Sequence, residues 1–158
     1  GDHRYLHSFP TRRSSDLFRI IVQQDNYFKS PKGILKLRIE ESKKELILYN
    51  RNESSEKRWS DYKIWEIEDD AQIEMLKDIL ETEVIVEKKR KLFIYENTRI
   101  HLDEVESIGK FLELESVVVD NDESAQREYN FVYDSLGLRD YEELRCSYRD
   151  LILKNKNI

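Results

Sequence analysis

Cysteine, proline and glycine are scarce in this chain, with one, two and four in 158 residues. The single cysteine, Cys146, excludes an internal disulfide framework and any all-cysteine metal site. Its expected place is a helix near the C-terminus, as a small packed residue rather than a reactive thiol. The sequence shows no repeats, no linker and no low-complexity segment, so one domain with a single sizeable core is expected. It also has no apolar run long enough to cross a bilayer, which argues against a membrane span or a membrane partner. A cytoplasmic domain, monomeric or homodimeric, is the default. The formal net charge of −6 makes non-specific nucleic-acid binding unfavourable. Any anion must therefore be held by a local basic cluster and not by the overall field.

The first 17 residues need separate treatment. Apart from one base in the Tyr5 codon, they back-translate into the standard short-read sequencing adapter. The simplest origin is an in-frame artefact, so residues 1–17 are set aside and residues 18–158 are expected to form the domain. Arg4, Arg12, Arg13, His3 and His7 then carry no functional weight, and the remainder is slightly more acidic than the whole. The adapter-derived segment is expected to be irregular.

From Phe18 onward the pattern reads as short strands first and helices last. Over 34–39, Leu35, Leu37 and Ile39 share one face and Ile34, Lys36 and Arg38 the other, after a Lys32-Gly33 turn signal. Alternation returns over 46–51, with Ile47, Tyr49 and Arg51 on one face. A polar turn follows over 52–57, and then a strand over 60–68 carrying Tyr62, Trp65 and Ile67. Over 71–81 the period becomes helical, through Ile73, Leu76, Ile79 and Leu80, with Asp69 or Asp70 as cap. Next comes a strand pair, with Val84, Val86, Lys88 and Arg90 on one face and Asn97 at the hairpin turn. The strands over 99–103 and 111–115 follow. A helix opens in the acidic cluster 120–123, with Tyr129, Val132, Tyr133 and Leu136 as its stripe and Gly137 as its C-cap. A last helix is expected from Asp140 through Leu144, Tyr148, Leu151 and Ile152.

The informative feature is where the charges fall. Alternation places Arg99, His101 and Asp103 on one strand face, and Glu113 with Glu115 on one face of the next. Lys36 with Arg38, and Lys88 with Arg90, are further pairs two residues apart. Taken singly, such pairs are most simply solvated outer faces of an antiparallel sheet. Glu113 and Glu115, however, lie among Phe111, Leu112, Leu114 and the apolar run 117–119, where solvated carboxylates are not expected. Two carboxylates spaced in this way are half of a site for a hard divalent cation such as Mg²⁺. If the cations converged, each pair at about 4 Å would repel by roughly 4 kcal/mol at an effective dielectric of about 20. Such a cluster needs a polyanion or carboxylates within it. His101 on its own reads as a hydrogen-bonded structural histidine before it reads as a ligand or proton carrier.

Several short motifs occur in a fixed order. They are Gln24-Asp25-Asn26-Tyr27-Phe28, Pro31-Lys32-Gly33 leading to Lys36-Leu37-Arg38, Tyr49-Asn50-Arg51, Ser60-Asp61-Tyr62, Val86 to Lys88 and Arg90, Arg99-Ile100-His101-Leu102-Asp103, Gly109 to Glu113-Leu114-Glu115, and Ser147-Tyr148 to Asp150-Leu151. In that order they resemble the CYTH domain, the family of class IV adenylyl cyclases and thiamine triphosphatases among the triphosphate tunnel metalloenzymes. The resemblance implies an α+β fold, an antiparallel β-barrel with a charged interior and helices packed outside. It implies that Lys36, Arg38, Arg51, Lys88, Arg90 and Arg99 bind phosphate, with arginine forking and lysine acting as a point charge. Glu113 and Glu115, with Asp103 as a possible third carboxylate, are implied as the catalytic ligands of Mg²⁺ or Mn²⁺.

The implied substrate is ATP, thiamine triphosphate or tripolyphosphate. The reaction is either hydrolysis at the terminal phosphorus or cyclisation of ATP to cyclic AMP with loss of pyrophosphate. A non-catalytic polyphosphate- or nucleotide-binding module is the alternative, and a purely structural sheet with solvated charges is a third. The chain departs from the family in one respect. Members open with a strand carrying Glu-x-Glu-x-Lys, followed by a helix, and nothing before Gln24 matches it. Roughly forty residues are therefore expected to be missing, by the usual lengths of a strand and a helix.

Overall fold

Period-two alternation becomes seven strands in one antiparallel sheet because each strand has a distinct inner and outer set of side chains. The structure is a computed structural model, and it describes residues 19–51, 60–119 and 121–156, the side chains at 51 and 60–62 excepted. The segment 1–17 and the turn expected over 52–57 lie outside those residues. The strands are β1 (Arg19–Phe28), β2 (Ile34–Glu40), β3 (Lys43–Arg51), β4 (Ser60–Glu66), β5 (Thr82–Tyr95), β6 (Thr98–Val105) and β7 (Gly109–Ser116). Their order across the sheet is β4-β3-β2-β1-β5-β6-β7, so β1 is central. Among the described residues β4 and β7 pair on one side only, and the sheet is not strictly closed.

Around β2 and β3 the outer face carries the apolar half of the alternation. Leu37, fully buried, packs with Phe28 and Ile73, and Leu35, Ile39, Leu46, Ile67 and Leu80 surround them. Ile73 comes from α1 (Asp70–Ile79), whose N-cap is Asp69; its carboxylate accepts from the Ala71 N–H at 2.9 Å. α2 (Asp122–Ser135) covers the β6–β7 end. It starts where the Asn121 side chain accepts from the Ser124 N–H at 2.8 Å, and it ends at Gly137, whose φ of +64° forms the left-handed turn expected of a C-cap glycine. Glu128 of α2 takes hydrogen bonds from the Asn97 N–H and the Thr98 hydroxyl, which ties the helix to the β5–β6 hairpin.

Two elements differ from the sequence expectation. β1 is a ten-residue central strand over a stretch that the sequence pattern marks only by its Gln24 to Phe28 motif. The last helix, expected from Asp140, is instead a 3-10 turn (Leu138–Asp140), an extended stretch, and α3 (Tyr148–Lys156). Its start is dictated by Ser147, whose hydroxyl donates to the Asp150 carboxylate at 2.7 Å and accepts from the Asp150 N–H at 3.2 Å. Leu144, at the expected helix centre, is exposed. Cys146, half-buried, precedes α3 and is not on a helix.

α3 takes the inner face, while α1 and α2 lie outside. Ile152 packs on Tyr27, Val84, Val86 and Val105, with Tyr148, Leu153 and Phe111 beside them. One end of the inner face is thereby an apolar core. The other end is left to charged side chains, and the Arg149 guanidinium on Glu83 (2.5 and 2.8 Å) fastens α3 to the start of β5.

Candidate functional site

Strand register assembles the charged end of the inner face. Asp25 on β1 stands opposite Arg38 on β2. On the other side of the sheet Arg90 on β5 stands opposite Asp103 on β6. His101 faces Glu113 on β7, and Arg99 faces Glu115. The turn into β2 depends on Gly33, which has a φ of +70° and whose added Cβ would meet the Tyr49 carbonyl oxygen at 2.8 Å. That close approach places Lys36 and Arg38 in register.

Asp25 is buried and accepts from the Arg38 Nε and Nη2 at 2.9 and 3.0 Å, from the Lys36 Nζ at 2.8 Å and from the Gln23 amide at 3.0 Å. Burial pushes its carboxyl up, but Arg38 and Lys36, with Lys88 further away, outweigh this and hold it well below the usual carboxylate range. The Lys36 ammonium also lies over the rings of Tyr27 and Tyr49, at 5.3 and 5.9 Å from their centres.

Asp103 accepts from the Arg90 Nε and Nη2 at 2.7 and 2.6 Å, from the Tyr148 hydroxyl at 3.0 Å, and pairs with the Lys88 Nζ at 3.4 Å. Burial again raises the carboxyl and the Arg90 hydrogen bonds with the Lys88 charge lower it, for a net downward shift. Burial and the neighbouring Arg90 pull the Lys88 ammonium down to about 8, against Asp25 and Asp103. Burial first, then Asp103 and Glu113, push the Tyr148 phenol up, so it donates to Asp103 as a neutral group.

Glu113 and Glu115 complete the face. The Arg90 Nη2 also donates to Glu113 at 2.8 Å, and the Arg99 Nη1 lies 3.4 Å from Glu115. His101, buried, sits between the two glutamates, 3.5 Å from one and 3.9 Å from the other. Burial lowers its imidazole pKa although Glu113 opposes this. The second Glu115 oxygen, Oε1, is buried with no hydrogen-bond partner among the described residues. A buried, unpartnered carboxylate oxygen is costly unless a cation or donor meets it.

That orphaned oxygen is the test of whether a divalent cation fits. Glu113 and Glu115 have the oxygen chemistry for Mg²⁺ or Mn²⁺. Asp103 has both oxygens engaged by Arg90, Lys88 and Tyr148, and would reach a metal only by giving up one of these. Among the described residues, no three histidine, cysteine or acidic side chains converge on one cation position.

Lys36, Arg38, Lys88, Arg90, Arg99, Asp103, Glu113 and Glu115, singled out from the sequence, therefore all share the inner face. Arg51 ends β3 opposite Ser60, and its side chain lies outside the described residues. Asp25 and Gln23 were missed as members of the cluster, as was Tyr148. The alternation of Gln23, Asp25 and Tyr27 is the signal that could have found the first two.

A family model for the CYTH domain matches residues 11–148. No curated protein matches the chain. Among solved structures, a conserved hypothetical protein from Pyrococcus furiosus is 24% identical, with a TM-score of 0.70 over 84% of this chain and 83% of that one. A Pyrococcus horikoshii protein is 20% identical, with a TM-score of 0.64 over 89% of each chain. A protein from Vibrio parahaemolyticus, described as a candidate adenylate cyclase, is 18% identical, with a TM-score of 0.60 over 86% of this chain and 82% of that one. At these identities the structural likeness shows the shared fold. Among the described residues, no helix is long and apolar enough to cross a membrane.

Proposed function

Since the chain belongs to the CYTH domain family, we propose that its inner face binds the phosphoryl groups of a triphosphate and processes them with a divalent cation. The observation that carries this reading is the burial of Lys36, Lys88 and Arg90 on the sheet face that also carries Glu115, one of whose oxygens has no hydrogen-bond partner among the described residues. Buried cations in such number are costly even when paired with Asp25 and Asp103, and polyanion recognition is a reason for a fold to keep them. The arginines Arg38, Arg90 and Arg99 offer planar forks to non-bridging oxygens, and Lys36 and Lys88 offer point charges. Arg51 joins them on the strength of its motif. Glu113 and Glu115 would hold Mg²⁺ or Mn²⁺, with Asp103 joining if it releases a present contact. When bound, the cation supplies positive charge to the phosphoryl oxygens at the reacting end.

The Vibrio neighbour's description favours cyclisation of ATP, and hydrolysis of a triphosphate uses the same cradle. The absence of a converged three-ligand cation site among the described residues favours a second reading, a polyphosphate- or nucleotide-binding module without turnover. Two measurements test these readings, and the second separates them. Tripolyphosphate should bind the protein tightly at low ionic strength and progressively less as salt screens the cations. Failure to bind at low salt in a folded sample would remove both readings. Incubation with ATP and Mg²⁺ or Mn²⁺ should then yield cyclic AMP with pyrophosphate, or ADP with phosphate; no product at all would leave the binding module.

Affinity should also depend on pH through Lys88. With its ammonium at about 8, the free site loses a positive charge as pH rises through that value, whereas a bound polyanion retains the proton. Tripolyphosphate affinity is expected to fall by up to about tenfold per pH unit above that point. Lys88→Arg, which stays charged, should flatten the profile. An equally steep fall in that variant would assign the titration elsewhere. Fold stability moves the other way: the unfolded lysine titrates near ~10.4 and binds more protons between the two values, so the Lys88 contribution rises with pH in that window.

A further inference from the structure

The inner face repeats one small unit twice. On β2, Lys36 and Arg38 are two residues apart, and Asp25 lies opposite the arginine on the neighbouring strand. On β5, Lys88 and Arg90 are two residues apart, and Asp103 lies opposite the arginine on the neighbouring strand. In each unit the arginine forks onto both aspartate oxygens, at 2.9 and 3.0 Å in the first and 2.7 and 2.6 Å in the second. The lysine closes on the same Oδ2 that takes the arginine Nη2, at 2.8 and 3.4 Å. A neutral donor completes each set on that Oδ2, the Gln23 amide in one and the Tyr148 hydroxyl in the other, both at 3.0 Å.

A guanidinium fork, an ammonium and a neutral donor converging on one oxyanion form a donor set suited equally to a carboxylate and to a single phosphoryl group. We propose that Asp25 is a resident surrogate anion, whose carboxylate holds the place of one phosphoryl group on Lys36 and Arg38 in the free protein and yields it to a phosphorylated ligand. Asp103 stands in the same relation to Lys88 and Arg90. The proposal rests on the triphosphate reading and deepens it: two matching donor sets on one face suit a ligand that carries more than one phosphoryl group. The physical reason for a surrogate is that a buried lysine and a half-buried arginine stripped of the carboxylate between them are destabilising. A tethered carboxylate keeps them compensated when no ligand is present, and the ligand's apparent affinity is lowered by having to displace it.

The test compares the full chain with its Asp25→Asn variant in metal-free buffer, titrated with tripolyphosphate and separately with inorganic phosphate by calorimetry, with melting temperatures recorded alongside. The variant should melt lower than the parent without anion and should bind tripolyphosphate on the order of tenfold more tightly, because the amide no longer competes for the cations. Unchanged or weaker binding in a folded variant would overturn the proposal, since Asp25 would then orient the cations instead of standing in for the ligand. If the parent ignores tripolyphosphate while the variant binds phosphate, the triphosphate reading falls and the surrogate role stands. If neither protein binds either anion, both fall. Should Asp25→Asn fail to fold, the double variant Asp25→Asn with Lys36→Met restores the charge balance. It is expected to fold without anion and to gain no affinity, and tighter binding than the parent would overturn the proposal.

Discussion

Replacing Glu113 and Glu115 together by glutamine is expected to lower metal-dependent turnover roughly a thousandfold while leaving tripolyphosphate binding intact or slightly tighter. The two side chains come from one inner face of β7, and one of them carries the only buried side-chain oxygen or nitrogen without a hydrogen-bond partner among the described residues. Glutamine keeps the shape and some of the hydrogen bonding to Arg90 and Arg99 but loses the charge a hard divalent cation needs. A lost metal contribution of ~4 kcal/mol in the transition state corresponds to that rate factor. Anion binding should persist because the cations are untouched and two nearby negative charges are gone. Product formation from ATP with Mg²⁺ or Mn²⁺, measured beside tripolyphosphate titration, checks both halves. Turnover equal to that of the parent would sink the metal assignment, and loss of binding together with turnover would point to a collapsed face.

Arg90→Met should destabilise the fold by about 3–5 kcal/mol, the usual cost of removing one partner from a buried ion pair. The Arg90 guanidinium is the hinge of the site: it forks onto Asp103 and also reaches Glu113, and the residue is only 6% exposed. Without it, Asp103 retains Lys88 and Tyr148, but Glu113 faces the same space with less compensation. For a chain of this size the loss corresponds to a fall in melting temperature of about 10 °C. The triple variant Lys88→Met, Arg90→Met and Asp103→Leu should recover part of the loss, because it removes both cations that Asp103 holds together with the carboxylate, and well-packed apolar residues can replace a buried charge cluster at little cost. Urea unfolding of the parent and both variants measures this. A change below about 1 kcal/mol for Arg90→Met would mean that the pair is screened as surface pairs are.

Several elements were legible in the sequence because their signal is local. The alternation in β2, β5, β6 and β7 follows from which residues stand two apart, and the structure keeps those assignments. Lys36 and Arg38 do lie on the face opposite Leu35, Leu37 and Ile39. The N-cap of α1 and the left-handed Gly137 are likewise set by neighbours within a few residues. The start of α3 was missed for a related reason: the apolar spacing through Leu144 suggests a longer helix, but the Ser147–Asp150 cap competes with it locally and wins. Leu144 is left exposed, so burial does not favour the longer helix.

The cluster around Asp25 is different in kind. Asp25 meets Lys36 and Arg38 only because β1 pairs with β2 in one register, and a shift of one residue would send its carboxylate to the other face. Tyr148 reaches Asp103 only because α3 docks on the inner face and not the outer one.

By itself, then, the sequence determined which side chains share a face, that charged pairs two residues apart fall together on strand faces, and which family the order of motifs points to. Each of these depends on the two-residue period of a strand or on short-range spacing. Tertiary structure alone decided which charge meets which: that Asp25 and Asp103 each hold a lysine and an arginine, that His101 lies between two glutamates, and that one Glu115 oxygen has no hydrogen-bond partner among the described residues. Those facts depend on strand order, register and helix docking, which are set by the packing of distant residues and leave no mark at the position of any one of them.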